Sequence, residues 1–107
     1  MGEFQHIQLD DARARIQAGT CVLADIRDER SFQAGHVEQA VSLNNQNVQE
    51  FVSDHQNQPV IVACYHGVSS QNAAQYLASQ GVKEVYSLDG GMTAWATQYP
   101  EDLVRGA

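Results

Sequence analysis

The run Val60-Ile61-Val62-Ala63-Cys64, followed directly by Tyr65-His66-Gly67-Val68-Ser69-Ser70, constrains this chain more than any other segment. Five apolar residues without polar alternation read as a strand covered on both faces, as strands of a parallel sheet are. After the loop, Ser70-Gln71-Asn72-Ala73-Ala74-Gln75-Tyr76-Leu77 has a helical pattern. Strand, glycine-containing loop and helix N-terminus in this order place a thiol at the C-terminal tip of a buried strand. There the loop amides and the positive end of the helix dipole converge on the sulfur. Such a cradle lowers a cysteine pKa and stabilises a thiolate or an anion attached to it, which makes Cys64 a candidate nucleophile. A buried structural cysteine is the competing reading.

The rest of the chain alternates short strands and helices. Gln5-His6-Ile7-Gln8 reads as a first strand. Asp10 is a candidate N-cap for a helix carrying Ala14, Ile16 and Ala18 and stopped by Gly19. Cys21 to Ile26 is a nearly continuous apolar strand, Ser31 to Ala34 a short helical turn, and Val41-Ser42-Leu43 a brief strand. Asn45 to His55 reads as a helix with Val48, Phe51 and Val52 on one face, closed by Pro59. The helix after the Cys64 loop runs to Gln80 and stops at Gly81. Val85 to Leu88 is the last strand, and Gly91 to Tyr99 the last helix, ending before Pro100. This alternation predicts an α/β fold with a mainly parallel five-stranded sheet and helices on both faces. Ligands of such sheets bind at the carboxyl ends of the strands. That edge collects Asp25-Ile26-Arg27, Leu43-Asn44, the Cys64 loop and Leu88-Asp89-Gly90, so topology puts Cys64 in the expected crevice.

Four stretches, in order, also carry a family resemblance. Cys64-Tyr65-His66-Gly67-Val68-Ser69 resembles the six-residue active loop of the rhodaneses. Ala24-Asp25-Ile26-Arg27 resembles the Asp-x-Arg that ends an early strand of that family. Gly35-His36-Val37-Glu38-Gln39-Ala40 resembles its Gly-His-Ile-x-x-Ala signature, and Asp89-Gly90-Gly91-Met92-Thr93-Ala94-Trp95 its Gly-Gly-x-x-Ala-Trp close. The resemblance covers nearly the whole chain and implies one rhodanese domain over residues 1–107. It implies a thiosulfate sulfurtransferase that carries sulfur as a persulfide on Cys64, with Tyr65, His66, Gly67, Val68, Ser69 and Ser70 as the substrate-binding loop. Sulfite would be released, and cyanide or a dithiol such as thioredoxin would accept the sulfur. No metal or organic cofactor is implied.

Composition narrows the partners. A chain of 107 residues with 43% hydrophobic and 18% charged residues is long enough for one core and reads as soluble and globular. No apolar run approaches the roughly 20 residues of a membrane span. Met1-Gly2-Glu3-Phe4 has neither a signal pattern nor a convincing acylation site. Cytoplasmic residence is the expectation, and a reducing compartment suits two cysteines too far apart for a metal site or disulfide framework. The formal charge of -7 argues against nucleic acid and anionic membranes. It does not exclude an anionic substrate, because charges beyond about 8 Å are largely screened while loop amides act at contact.

The remaining candidates have structural readings beside functional ones. His66 is a possible general base or a solvent-facing side chain, and an activated thiolate needs no base. His36 reads as a structural hydrogen-bonding residue, and Asp25 with Arg27 as a partly buried ion pair. Cys21 reads as a small hydrophobe, and Trp95 as packing for the last helix. Ser69 and Ser70 are candidates to cap the helix and donate to bound sulfur. Two rivals belong to other classes. A phosphatase with this type of loop needs an Arg for bidentate phosphate binding, but the position six after Cys64 is Ser70. A non-enzymatic rhodanese-like interaction module or persulfide carrier would not depend on turnover.

Overall fold

A computed structural model describes residues 3–106. The Met1-Gly2 start, on which the reading of the N-terminus rests, lies outside them. The elements are β1 (Gln5–Ile7), α1 (Leu9–Gln17), β2 (Val22–Asp25), α2 (Glu29–Ala34), β3 (His36–Val37), β4 (Val41–Ser42), α3 (Val48–Asp54), β5 (Val60–Ala63), α4 (Ser69–Ser79), β6 (Val85–Leu88), α5 (Gly91–Gln98) and β7 (Leu103–Val104), with a 3-10 turn at Pro100–Asp102. Strands β1, β6, β5, β2 and β4 form one sheet in that order, and every pair in it is parallel.

The period-2 alternation of strand side chains divides the core into two layers. Along β5, Val60 and Val62 face one layer and Ile61 and Ala63 the other, and all four are solvent-inaccessible. The first layer is completed by Phe51 and Val52 of α3 and Ala74, Leu77 and Ala78 of α4. The second is completed by Leu9, Ala12 and Ile16 of α1 and by Met92 and Trp95 of α5. Each large aliphatic side chain buried this way is worth about 1.5–3 kcal/mol relative to exposure. Apolar residues on successive strand positions therefore require helices on both faces, as the sequence pattern predicts.

Three local expectations change. Helix α1 is N-capped by Gln8 without a side-chain bond, and Asp10 lies inside its first turn. Ala14 and Ala18 are exposed; Leu9, Ala12 and Ile16, at helical spacing, form the buried stripe. The helix expected from Asn45 begins at Val48, because Asn44 and Asn47 tie the preceding turn with side-chain bonds to backbone amides. Finally, β3 and β7 form a small antiparallel pair apart from the main sheet, with His36 opposite Val104 and Val37 opposite Leu103.

Candidate active site

Cys64 follows β5 directly, and its side chain is 4% exposed. The chain turns there because α5 holds it from behind. Met92 and Thr93 amides at the start of α5 donate to the Cys64 and Tyr65 carbonyls at 2.7 and 2.9 Å. With those carbonyls drawn to α5, the next amides of the loop turn inward. Gly67 N and Ser70 N each lie 3.2 Å from Cys64 Sγ. Gly67 has φ +88°, and a Cβ there would sit 2.9 Å from Leu88 O, so the loop closes over β6 only with glycine. Gly91 has φ +60°, and its missing Cβ leaves room for the Cys64 and Tyr65 carbonyls.

The electrostatics of this cradle favour a thiolate. Burial pushes the Cys64 thiol up, but the Ser70 hydroxyl and the amides of Ser70, Gly67 and His66 outweigh it and hold the thiol below its ordinary value. Helix α4 carries no acidic residue in its first turn, so the positive end of its dipole is not offset there. Cys21, packed in the core with Ile7 and Leu23, differs: burial raises its thiol above the ordinary value. The two cysteines thus have opposite character, and only Cys64 meets the conditions for nucleophilic sulfur.

The other loop residues divide by exposure. Gly67 and Ser70 are buried, whereas Tyr65, His66, Val68 and Ser69 are exposed around the sulfur. Tyr65 hydroxyl reaches Ser31 Oγ at 2.5 Å and so ties the loop to α2. The amides that hydrogen-bond Cys64 Sγ are those of Gly67 and Ser70, and the His66 ring is exposed and lies tilted beside the Tyr65 ring at 6.5 Å. The helix N-cap is Val68, with no side-chain bond, so neither Ser69 nor Ser70 caps the helix. Ser70 Oγ instead meets Ser87 Oγ of β6 at 2.7 Å.

Around this loop, Arg27 makes a forked contact to Asp25, with Nη2–Oδ2 at 2.8 Å, and donates to the Gly35 carbonyl at 2.8 Å. Asp25 is fully buried and the Arg27 side chain 10% exposed, so the pair pins the β2 end to α2. His36 is buried, stacks on Phe32 at 3.9 Å and bonds the Phe32 carbonyl through Nδ1, a structural arrangement. Trp95 is buried in the α1–α5 layer, and its indole N–H donates to Asp102 at 2.9 Å. A groove of about 1160 Å³ lies between α2, the β4–α3 turn and α4, but no residue from Cys64 to Ser70 lines it. Sequence reasoning missed Ser87 and the anchoring amides of Met92 and Thr93. A serine in the otherwise apolar strand Val85-Tyr86-Ser87-Leu88 was the available signal for the first.

This geometry coincides with a sequence match. The profile of the rhodanese-like domain matches residues 8–98. The chain belongs to the rhodanese-like domain family. Among proteins similar to it, the thiosulfate sulfurtransferase GlpE of Pseudoalteromonas translucida is 45% identical over 103 residues, covering 95% of this chain and 98% of that protein. A rhodanese-like domain protein from Staphylococcus aureus superimposes with a TM-score of 0.79 at 20% identity, over 97% of this chain and all of that one. A rhodanese-related protein from Thermoplasma volcanium gives a TM-score of 0.77 at 21% identity, over 94% and 98%. At such identities the structural neighbours establish the rhodanese fold alone. The Cys64–Ser69 loop, the Asp25–Arg27 pair and the Gly90-Gly91 turn are the local pieces by which the sequence resembles that family.

Proposed function

We propose that this rhodanese is a thiosulfate sulfurtransferase working by double displacement at Cys64, with residues 1–107 as one catalytic domain. The observation that carries the reading is the pair of amides, Gly67 N and Ser70 N, each 3.2 Å from a buried sulfur. The name of the 45% identical relative supports the choice of donor.

In the first half-reaction the Cys64 thiolate attacks the outer sulfur of thiosulfate. A bond forms between the two sulfurs, the S–S bond of thiosulfate breaks, and its electron pair leaves on sulfite. Three negative charges enter and three remain, one on the persulfide and two on sulfite. The amides that favour the thiolate then favour the persulfide anion, as an oxyanion hole favours developing charge. Tyr65, His66, Val68 and Ser69 form the rim against which the sulfonate end rests; Gly67 and Ser70 hold the sulfur. In the second half-reaction a thiophilic acceptor takes the outer sulfur and regenerates Cys64. Cyanide serves in the assay, giving thiocyanate, and a dithiol such as thioredoxin is the cellular acceptor. Among the described residues no helix is long and apolar enough to cross a membrane. We place the enzyme in the cytoplasm, where the thiol stays reduced.

The kinetic test varies thiosulfate and cyanide together. Sulfite leaves before the acceptor reacts, so double-reciprocal lines should be parallel, and Cys64→Ser should make no thiocyanate. Intersecting lines, or turnover surviving in Cys64→Ser, would require another mechanism. A non-enzymatic module or carrier would give a persulfide but no sustained turnover.

A further inference from the structure

Four carbonyl oxygens of the Cys64 loop are fixed by hydrogen bonds from outside it. Met92 N and Thr93 N at the start of α5 take those of Cys64 and Tyr65, at 2.7 and 2.9 Å. The carbonyls of Gly67 and Val68 are both taken by Gln71. Its main-chain N–H donates to Val68 O at 3.1 Å, and its side-chain Nε2 donates to Gly67 O at 2.9 Å. A carbonyl oxygen only accepts, so the carboxamide presents its nitrogen to Gly67 O and not its oxygen. Gln71 is the third residue of α4 and is half-buried, and its side chain reaches back over the N-terminus of the helix.

The Gly67–Val68 and Val68–Ser69 peptide units lie between the two amides that meet the sulfur, Gly67 N and Ser70 N, each 3.2 Å from Cys64 Sγ. The Val68–Ser69 unit is fixed by a main-chain bond, which any residue at position 71 other than proline would supply. The Gly67–Val68 unit depends on a side chain. It pivots on a glycine at φ +88°, whose backbone has more freedom than that of any other residue, so the local backbone does not fix where the Gly67 carbonyl points. The N-cap residue Val68 offers no side-chain bond, which leaves this task to the Gln71 carboxamide. We infer that Gln71 is a positioning residue for Cys64. By holding the Gly67 carbonyl it keeps the arc from Gly67 to Ser70 at the span that puts both amides on the sulfur. The amides so held serve the thiolate and then the persulfide formed from it.

The inference rests on the reading of Cys64 as the sulfur that carries charge. The ionisable groups around the loop stay as they are in every comparison without a new charge. Asp25 and Arg27 at the end of β2 are bonded to each other, Asp89 after β6 is bonded to His6 and Gln8, and the Tyr65 hydroxyl is bonded to Ser31. Asp28, Glu29 and Arg30 at the start of α2 and His66 in the loop are exposed. Helices α4 and α5 contain no Asp, Glu, Lys or Arg.

The test follows alkylation of Cys64 by iodoacetamide against pH, with Cys21 resolved by peptide mass spectrometry and no thiosulfate present. It reads the thiol alone, so its failure is separable from a failure of sulfur transfer. All variants are measured in about 1 M salt, where an exposed charge is screened beyond about 3 Å. Gln71→Met keeps the length of the side chain and removes the donor. One ordinary hydrogen bond is worth about fivefold in an equilibrium, so the midpoint should rise by about 0.5 unit and by no more than about 0.7. Gln71→Asn, whose carboxamide falls one methylene short of Gly67 O, should shift it as far. Gln71→Lys restores an N–H donor and should return the midpoint to the parent value. Asn72→Ala, at the exposed next residue of α4, should leave it unmoved. An unmoved midpoint in Gln71→Met and Gln71→Asn, no return in Gln71→Lys, or an equal rise in Asn72→Ala would overturn the inference.

Discussion

Replacing Gly91 by alanine should damage this protein far more than the same change at Gly19, and the contrast isolates what holds the Cys64 loop in place. Both glycines have positive φ, +60° at Gly91 and +78° at Gly19. The left-handed region alone costs an alanine roughly 1–2 kcal/mol. At Gly19 nothing lies within 4 Å of the added Cβ, so that strain is the whole effect. At Gly91 the Cβ would lie 2.5 Å from Tyr65 O and 2.6 Å from Cys64 O, both backbone atoms. The Cys64–Tyr65 backbone must then retreat from α5. Two hydrogen bonds hold it there, Met92 N to Cys64 O at 2.7 Å and Thr93 N to Tyr65 O at 2.9 Å. Losing both at about 1 kcal/mol each brings the cost at Gly91 to about 3–4 kcal/mol. Urea unfolding at equilibrium measures the difference, which should approach 2 kcal/mol between the variants on these magnitudes. Equal losses would refute the claim that α5 clamps the loop from behind.

Three further outcomes test the surroundings of the site. Asp25→Ala leaves the Arg27 guanidinium without its forked partner in a nearly buried place and should cost about 3–5 kcal/mol in urea unfolding; a loss under about 1 kcal/mol would mean that Arg27 turns freely into solvent. His66→Ala should keep most of the thiocyanate-forming activity, because the hydrogen bonds to Cys64 Sγ come from the Gly67 and Ser70 amides and not from the exposed His66 ring; a fall beyond about a hundredfold would assign it general-base work. An aryl phosphate should not be hydrolysed measurably, because Ser70 stands where a phosphatase loop of this type needs its Arg and Arg27 is committed to Asp25. Cys64-dependent phosphate release comparable to sulfur transfer would contradict that.

What the sequence made legible depended on locality. The strand–loop–helix unit from Val60 to Ser79 is continuous in the chain, and its apolar run, glycine and helical pattern together specify a thiol facing amides. Strand β6 was equally clear, because Val85 to Leu88 is bounded by turn residues. Ser87 was not legible as part of the site, since its partner lies 17 residues earlier and only the sheet register turns it toward α4. The β3–β7 pair was missed for the same reason: two strands of two residues each carry no periodicity, and their pairing spans most of the chain. The buried stripe of α1 was misread because Ala14, Ile16 and Ala18 are spaced by two, whereas Leu9, Ala12 and Ile16 follow the turn of a helix.

The central claim is that Cys64, and not Cys21, carries sulfane sulfur. Brief treatment of the reduced protein with thiosulfate, then peptide mass spectrometry under non-reducing conditions, tests it directly. The account predicts a gain of about 32 Da, one sulfur, on the peptide containing Cys64, removed again by cyanide, with Cys21 unchanged because its thiol is buried among apolar residues and disfavours the thiolate. No adduct, or an adduct confined to Cys21, would contradict it.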